Sequence, residues 1–264
     1  MNLYRESLSL GGWYSFNANK KDWKNFYAEK MFNHFFNDSI KEHFGNLNID
    51  ENLLITDNVD FSNLQNKEVL VIGAGMSSSL LSKKVVNSYD YVFSCNHFYK
   101  NNFLSTQKIN LILVGDEVDL KSKDFLEYLE AFKPLIGFEH SSKRSTDELI
   151  SFKKNYERSF IYLTRYFSRL GYVPRAMILA SIFGATSVDC IGLDGFNKER
   201  AHFFEKDKKA PSFNNKESFQ EQMKILGKYF LEDLKMSKDS FCNLGETHPS
   251  NIYKNIFDSC KKGC

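Results

Sequence analysis

From Glu68 onward, short apolar runs alternate with segments of helical periodicity, and this alternation limits the possible folds more than any other feature. Runs such as VLVI and LILV are apolar at every position rather than at alternate ones. A strand of this kind must be covered on both of its faces, as in a parallel sheet flanked by helices. The sequence therefore predicts an α/β protein with a doubly wound, mostly parallel Rossmann-like sheet.

The predicted elements follow one another along the chain with few interruptions. We predict strands at EVLVI, YDYVFSCN, KINLILVGDEV, KPLIGFE, SFIYLT and SVDCIGLDGF, and a late strand at SFCNL. Helices are predicted directly after the first strand and at KDFLEYLEAF, TDELISFKKNY, PRAMILASIFGA, KESFQEQMKILGKYFLEDLKM and PSNIYKNIFDSC. Pro174 falls in the first turn of its helix, where proline is tolerated.

Two segments stand apart from this alternation. Residues 1–66 contain DWKNFYAEKMFNHFFNDSIKEHF, whose aromatic residues recur at helical spacing, and we predict a helical N-terminal extension that packs on the main domain. Residues 67–264 form the predicted Rossmann-like nucleotide-binding domain. Within it, the polar stretch at about 197–218 is the predicted lid.

Composition excludes several classes of protein. The 264 residues carry a formal net charge of +2, too small a field to recruit nucleic acid, so we expect no nucleic-acid partner. No window approaches the roughly 18 apolar residues of a membrane span. The five cysteines are scattered and lack metal-site spacing, and we expect a cytoplasmic protein with reduced thiols. The lysine runs KDKK and CKKGC leave peripheral membrane association open, and the oligomeric state is open as well.

The first strand runs into a glycine turn, VIGAGMSS, of the kind that holds phosphate groups. Gly73 and Gly75 let the backbone approach a ligand, and Ser77 adds a hydroxyl donor. The turn is not the dinucleotide fingerprint, because Ser78 replaces its third glycine. Asn96 also stands where an NAD-binding protein has an acidic residue, about 20 residues further on. An amide there can bind a ribose or a pyrimidine edge, and an NAD-dependent dehydrogenase is disfavoured.

Polar residues also follow the other predicted strands, at the sheet edge where ligands bind in open α/β folds. Asp116 ends the third strand, and Gly192 and Asp194 end the strand SVDCIGLDGF. His202 in the predicted lid and His248 after the late strand are alternative general bases, since histidine titrates near neutrality. Glu117 is expected to point away from Asp116 on an extended chain, so we predict no metal site.

The segment YVFSCNHFY, Tyr91–Tyr99, resembles the DVFRCNQFY pattern of bacterial sialyltransferases that use CMP-activated sialic acid. GAGMSSSL is similar to the GNGPSL turn by which that family binds its nucleotide. ASIFGATSVDCIGLDGF resembles the family's helix, LG turn and strand ending in GIDFY. The resemblance covers roughly Glu68 to Phe196. It implies a cytoplasmic glycosyltransferase of lipopolysaccharide or other surface glycan biosynthesis, whose partners are a nucleotide-sugar donor and a glycan acceptor.

Together with the strand-end residues, the resemblance gives a set of predicted site residues. We expect nucleotide contacts from Gly73, Ala74, Gly75, Ser77, Asn96, Asp116 and Gly192. We expect catalytic roles for His202 as the base, Arg175 at the departing phosphate and Asp194 beside the donor. Two family residues are replaced: Phe196 stands in the place of a tyrosine, and Asn214 or Asn215 falls near the place of the family's histidine.

Two alternatives to sialyl transfer stay open. GLDGFNKERAHFF is similar to a motif of the family that joins hydroxymethylpterin diphosphokinase-like proteins and flagellar motility accessory factors. That resemblance implies an ATP-dependent diphosphokinase in which Asp116 and Asp194 hold Mg²⁺; no other cofactor is implied. The replacements at Phe196 and Asn215 motivate the second alternative, a non-catalytic nucleotide-binding scaffold.

Overall fold

A computed structural model describes residues 13–14, 64–139, 146–164, 171–182, 184–195, 202–204, 223, 226–227, 230–231, 236–237, 240–249 and 251. Most of the predicted N-terminal extension, of the predicted lid, of the predicted helix at 216–236 and of the closing helix lies outside the described residues. Phe196, Asn214 and Asn215 lie outside them as well.

The predicted α/β fold is confirmed. In the described part of the chain, six parallel strands form one sheet in the order β7-β2-β3-β4-β5-β6, and β1 pairs antiparallel with β6 at its edge. The strands are β1 (Trp13–Tyr14), β2 (Glu68–Ile72), β3 (Tyr91–Cys95), β4 (Leu111–Val114), β5 (Leu135–Glu139), β6 (Ser159–Thr164) and β7 (Ser187–Ile191).

Helices connect these strands as the periodicity predicts, with one exception. The α-helices are α1 (Lys83–Val86), α2 (Lys123–Phe132), α3 (Thr146–Asn155) and α4 (Tyr172–Ile182), and α4 has Pro174 in its first turn. The exception follows β2, where a 3-10 helix at Met76–Leu80 precedes the short α1. There the Ser78 hydroxyl donates to the Gly73 carbonyl at 2.6 Å and that of Ser79 to Met76 at 2.7 Å. Such bonds compete with the α-helical ladder.

Alternate residues of each central strand enter different hydrophobic cores. Val69 and Val71 of β2 pack with α4 on one face of the sheet. Leu70 and Ile72 pack on the other face with Phe125 of α2 and its neighbours. Because both faces are covered, residues on both faces of these strands are mostly apolar, which explains the continuous runs in the sequence.

The late strand is shorter than predicted. Cys190 of β7 forms an isolated parallel bridge with Asn243; its N–H donates to the Cys242 carbonyl at 2.7 Å and its carbonyl accepts from Leu244 N–H at 2.8 Å.

Cys95 and Cys190 are buried free thiols, whereas Cys242 is disulfide-bonded, so the expectation that all cysteines are reduced is wrong. Among the described helices, none combines the length and the apolar character of a membrane span.

A partly buried hydrogen bond fixes β7 to the connection between α1 and β3. The Tyr89 hydroxyl donates to Asp189 Oδ2 at 2.7 Å, and Asp189 is 1% exposed. Burial, reinforced by the Asp189 charge, raises the pKa of Tyr89 well above its usual range, so the hydroxyl stays a donor at ordinary pH. We expect Tyr89→Phe to lower the free energy of unfolding by about 1–3 kcal/mol, because a buried acceptor loses its donor. Urea denaturation measures this loss.

Tyr91→Phe is the matched control. Tyr91 is half-buried against the core, and within the described residues its hydroxyl makes no hydrogen bond. An equal loss of stability in both variants would contradict the role given to the Tyr89 bond.

Candidate active site

The order of the strands places a crevice at the carboxyl ends of β2 and β7. From β2 to β6 successive strands lie side by side in one direction, whereas β7 lies on the opposite side of β2. The helix α1 that follows β2 and the helix α4 that precedes β7 pack on opposite faces of the sheet, and open α/β sheets bind ligands at such a reversal. The turn after β2 and the turn after β7 therefore form the candidate site.

Glycines let these two turns pack backbone against backbone. Gly73 N–H donates to the Ile191 carbonyl at 2.8 Å, and Gly75 N–H donates to the Gly192 carbonyl at 3.0 Å. A Cβ on either Gly73 or Gly75 would lie 2.6 Å from the Gly192 oxygen, and Gly192 itself has φ +78°. The sequence analysis predicted these glycines because a ligand must approach the backbone closely. The structure shows a second reason: the two turns could not pack this closely if these residues carried side chains.

Asp194 and Ser77, both predicted site residues, are bonded to each other. Ser77 donates its backbone N–H to Asp194 Oδ2 at 2.7 Å and its hydroxyl to Asp194 Oδ1. The same hydroxyl accepts from Gly192 N–H at 2.9 Å. Ser77 is 0% exposed and Asp194 6%. The carboxylate thus caps the start of the 3-10 helix and ties the β7 turn to the β2 turn, and the Ser77 hydroxyl is engaged within the protein.

Two backbone donors of the glycine turn remain for a ligand. The Ser78 N–H donates to the Gly75 carbonyl at 3.0 Å, and the Ser77 N–H is held by Asp194. The N–H groups of Ala74 and Met76 make no hydrogen bond within the described residues, and both residues are half-buried. Backbone donors of this kind in a glycine turn suit an anionic oxygen.

Asn96, at the end of β3, bridges to the end of β4. Its backbone is left-handed, with φ +48°, a conformation that asparagine tolerates better than most residues. Its Oδ1 accepts from Gly115 N–H at 2.8 Å and its Nδ2 donates to Glu117 Oε1 at 2.5 Å. The amide, which we expected to contact the nucleotide, is thus bonded to Gly115 and Glu117. Alanine would be strained at this φ, so Asn96→Gly is the cleaner variant.

Sequence reasoning missed Glu117. An extended chain would have pointed its side chain away, but its carboxylate is turned toward Asn96. Asp116, its predicted neighbour in the site, is exposed. The described residues contain no group of three or more His, Cys, Asp or Glu side chains that could hold a metal ion.

Arg175, predicted to meet the departing phosphate, is 6% exposed and lies 4.9 Å from the centroid of the Tyr172 ring. Burial lowers the pKa of Arg175 to about 9, while Cys95 and Glu117 act in the opposite direction. Burial raises the pKa of Cys95 to about 12, so that thiol is neutral near pH 7. The Arg175 guanidinium is thus held inside the protein against the Tyr172 ring, an arrangement that favours a positioning role for the arginine.

Both predicted histidine bases lie beside the β2 turn. The N–H of Phe203, which follows His202, donates to the Ala74 carbonyl. His248 Nε2 lies 3.3 Å from Ser79 Oγ in the 3-10 helix. The turn that carries His248 packs tightly here, since a Cβ on Gly245 would overlap the Ser77 side chain. The structure thus brings the glycine turn, Asp194 and both histidines to one edge of the sheet.

Comparisons with known proteins find similar solved structures but no matching family. No family model matches the chain, and no curated protein matches it. Among solved structures, it is similar to the sialyltransferase CstII from Campylobacter jejuni in complex with the substrate analogue CMP-3FNeuAc, with 15% identity, a TM-score of 0.48 and coverage of 67% of this chain and 81% of that one.

It is also similar to a mammalian sialyltransferase, with 14% identity and a TM-score of 0.41 over 81% of this chain and 83% of that one. A mammalian sialyltransferase in complex with Gal-beta-1-3GalNAc-ortho-nitrophenol gives 13% identity and a TM-score of 0.43 over 81% and 85% of the two chains. Structural similarity at these identities and TM-scores assigns no activity to this chain.

Proposed function

We propose that the chain is a glycosyltransferase that uses a nucleotide-activated sugar, of the CMP-linked nonulosonic or sialic acid type, in surface glycan assembly. One observation carries the proposal: at the reversal of strand order, the β2 glycine turn keeps the N–H groups of Ala74 and Met76 available, beside the end of β3. The GAGMSSSL and YVFSCNHFY motifs, which resemble those of the CMP-dependent sialyltransferases, supply these two strand ends.

In the proposed reaction, the bond between the anomeric carbon of the sugar and a phosphate oxygen of CMP breaks, and its electron pair leaves with the phosphate. The acceptor hydroxyl oxygen forms the new bond to that carbon and gives its proton to a histidine, His202 in the first instance. Hydrogen bonds from Ala74 and Met76 stabilise the charge that develops on the phosphate.

The remaining predicted residues act through their positions. Asp194 and Ser77 keep the β2 turn in shape through their paired hydrogen bonds. Gly73, Gly75 and Gly192 allow the two turns to approach each other. Arg175, buried beside the Tyr172 ring, acts as a positioning residue from within the protein.

Thermal-shift measurements with CMP, CDP, UDP, GDP, NAD and pterin diphosphate test the proposal. We expect CMP compounds to raise the melting temperature most, because a ligand at 100 times its Kd stabilises the native state by about 2.7 kcal/mol. Stabilisation by NAD or pterin diphosphate, with none by any CMP compound, would overturn the proposal. Release of CMP from a CMP-linked sialic acid, with galactoside acceptors present, then separates an enzyme from a non-catalytic scaffold.

The diphosphokinase alternative receives no support from Asp194. Both of its carboxylate oxygens accept hydrogen bonds from Ser77, so they are not presented together with Asp116 to a Mg²⁺ ion. Incubation with ATP, Mg²⁺ and the hydroxymethylpterin alcohol tests this alternative directly, with release of AMP as the readout.

A further inference from the structure

We propose that Glu117 recognises the ribose of the bound nucleotide, accepting hydrogen bonds from its 2′- and 3′-hydroxyl groups. The inference rests on the proposed function only in requiring that a ribonucleotide bind at the β2 turn. It assigns a specificity-determining role to a side chain that sequence reasoning set aside.

The carboxylate of Glu117 is fixed before any ligand arrives. Asn96 Nδ2 donates to its Oε1 at 2.5 Å. The main-chain carbonyl of Glu117 lies 3.2 Å from Nε2 of the buried His97. A side chain held at both its backbone and its tip has little rotamer freedom left to lose, and such preorganisation strengthens binding.

Gly115 leaves the space that the carboxylate occupies. A Cβ on Gly115 would overlap the Tyr172 hydroxyl oxygen and lie 2.8 Å from Glu117 Oε2, so a larger residue would displace both side chains. Within the described residues Oε2 accepts no hydrogen bond, and Glu117 is exposed. An ionised carboxylate accepts at about four lone-pair sites, which leaves several acceptors facing solvent.

The location suits a ribose better than a phosphate. Sheet strands are about 4.8 Å apart, so a phosphate at the end of β2 places its sugar over the end of the neighbouring β3. Dinucleotide-binding sheets hold the ribose hydroxyls there with an acidic residue of that neighbouring strand. In this chain β3 ends in Asn96 instead, and Asn96 brings an acidic side chain across from the end of β4. The negative charge of Glu117 meanwhile repels a phosphate and keeps it at the glycine turn.

The test compares ribose with its dideoxy form by isothermal titration calorimetry. CMP and 2′,3′-dideoxy-CMP are titrated into the wild-type protein, Glu117→Ala and Glu130→Ala. Glu130 is an exposed carboxylate of α2 with no assigned role in the site, and its replacement controls for the change in charge. We expect the wild type to bind CMP about tenfold to a hundredfold more tightly than the dideoxy form, the range of one or two hydrogen bonds to a charged acceptor. Glu117→Ala abolishes this difference, and Glu130→Ala keeps it.

Asn96→Gly is a second variant that retains the left-handed backbone and removes the amide that holds Glu117. We expect it to reduce the preference for CMP over 2′,3′-dideoxy-CMP several-fold. Inorganic pyrophosphate, which has no ribose, should bind to this variant as it does to the wild type. This variant keeps the inference testable should Glu117→Ala fold poorly.

The outcomes separate this inference from the proposed function. If AMP, GMP or UMP binds and CMP does not, the CMP proposal fails, and the ribo and dideoxy forms of the nucleotide that does bind are compared in the same way. Equal affinity of wild type for the two forms, or a preference that survives in Glu117→Ala, overturns the role of Glu117 even if CMP binds tightly. Absence of binding by any ribonucleotide overturns both.

Discussion

Gly192→Ala is expected to lower the free energy of unfolding by about 2–5 kcal/mol, which combines about 1–2 kcal/mol of left-handed strain with about 1–3 kcal/mol of overpacking. Gly192 has φ +78°, and a Cβ there would overlap the Gly73 carbonyl oxygen and the Ser78 hydroxyl. Relief of the overlap must part the two turns that form the site. We therefore expect the affinity for CMP to fall together with the stability, measured by urea denaturation and by calorimetry.

Gly184→Ala separates strain from overlap. Gly184 also has positive φ, at +95°, but the nearest atom to its added Cβ is the flexible Gln65 Cγ at 3.1 Å. We expect a loss of about 1 kcal/mol there and no change in CMP affinity. Equal losses of stability in the two variants would show that the contact between the β2 and β7 turns contributes nothing beyond backbone strain.

The same glycines show how far sequence reasoning reaches. A strand, a glycine turn and polar residues at neighbouring strand ends predicted where the site lies, because parallel strands bring their carboxyl ends to one edge. The bond between Ser77 and Asp194 joins residues 117 positions apart and depends on β7 lying beside β2. The order of elements along the chain does not specify that β7 lies beside β2. The sequence therefore predicted Ser77 and Asp194 as site residues, but not the hydrogen bonds between them.

Glu117 was missed for a different reason. Alternation along an extended chain decides side-chain direction only while the backbone stays extended. The left-handed φ of Asn96 and the compact turn after β4, where Val118 N–H donates to the Gly115 carbonyl at 3.3 Å, break that assumption. The helix after β2 likewise differs from the prediction, because Ser78 and Ser79 form local hydrogen bonds to the backbone that hydrophobic periodicity does not register.

His202→Ala is expected to reduce the rate of sugar transfer by about 10²–10⁴-fold while CMP affinity stays unchanged, since a general base contributes about that factor and does not hold the nucleotide. His202 precedes Phe203, whose N–H is bonded to Ala74 of the nucleotide-binding turn. Loss of the base should also remove the acidic limb of the pH–rate profile, since only a neutral imidazole accepts the proton. Release of CMP from a CMP-linked sialic acid in the presence of acceptor measures both effects.

His248→Ala is the matched comparison, because it removes the same type of side chain from the same edge of the sheet. Its Nε2 already contacts Ser79 Oγ at 3.3 Å, so we expect a change of less than about tenfold in rate and an intact acidic limb. A larger loss in His248→Ala than in His202→Ala would transfer the role of base to His248. Full activity in both variants would exclude His202 and His248 as the base and leave the acceptor hydroxyl to be deprotonated by another group, with the nucleotide site unaffected.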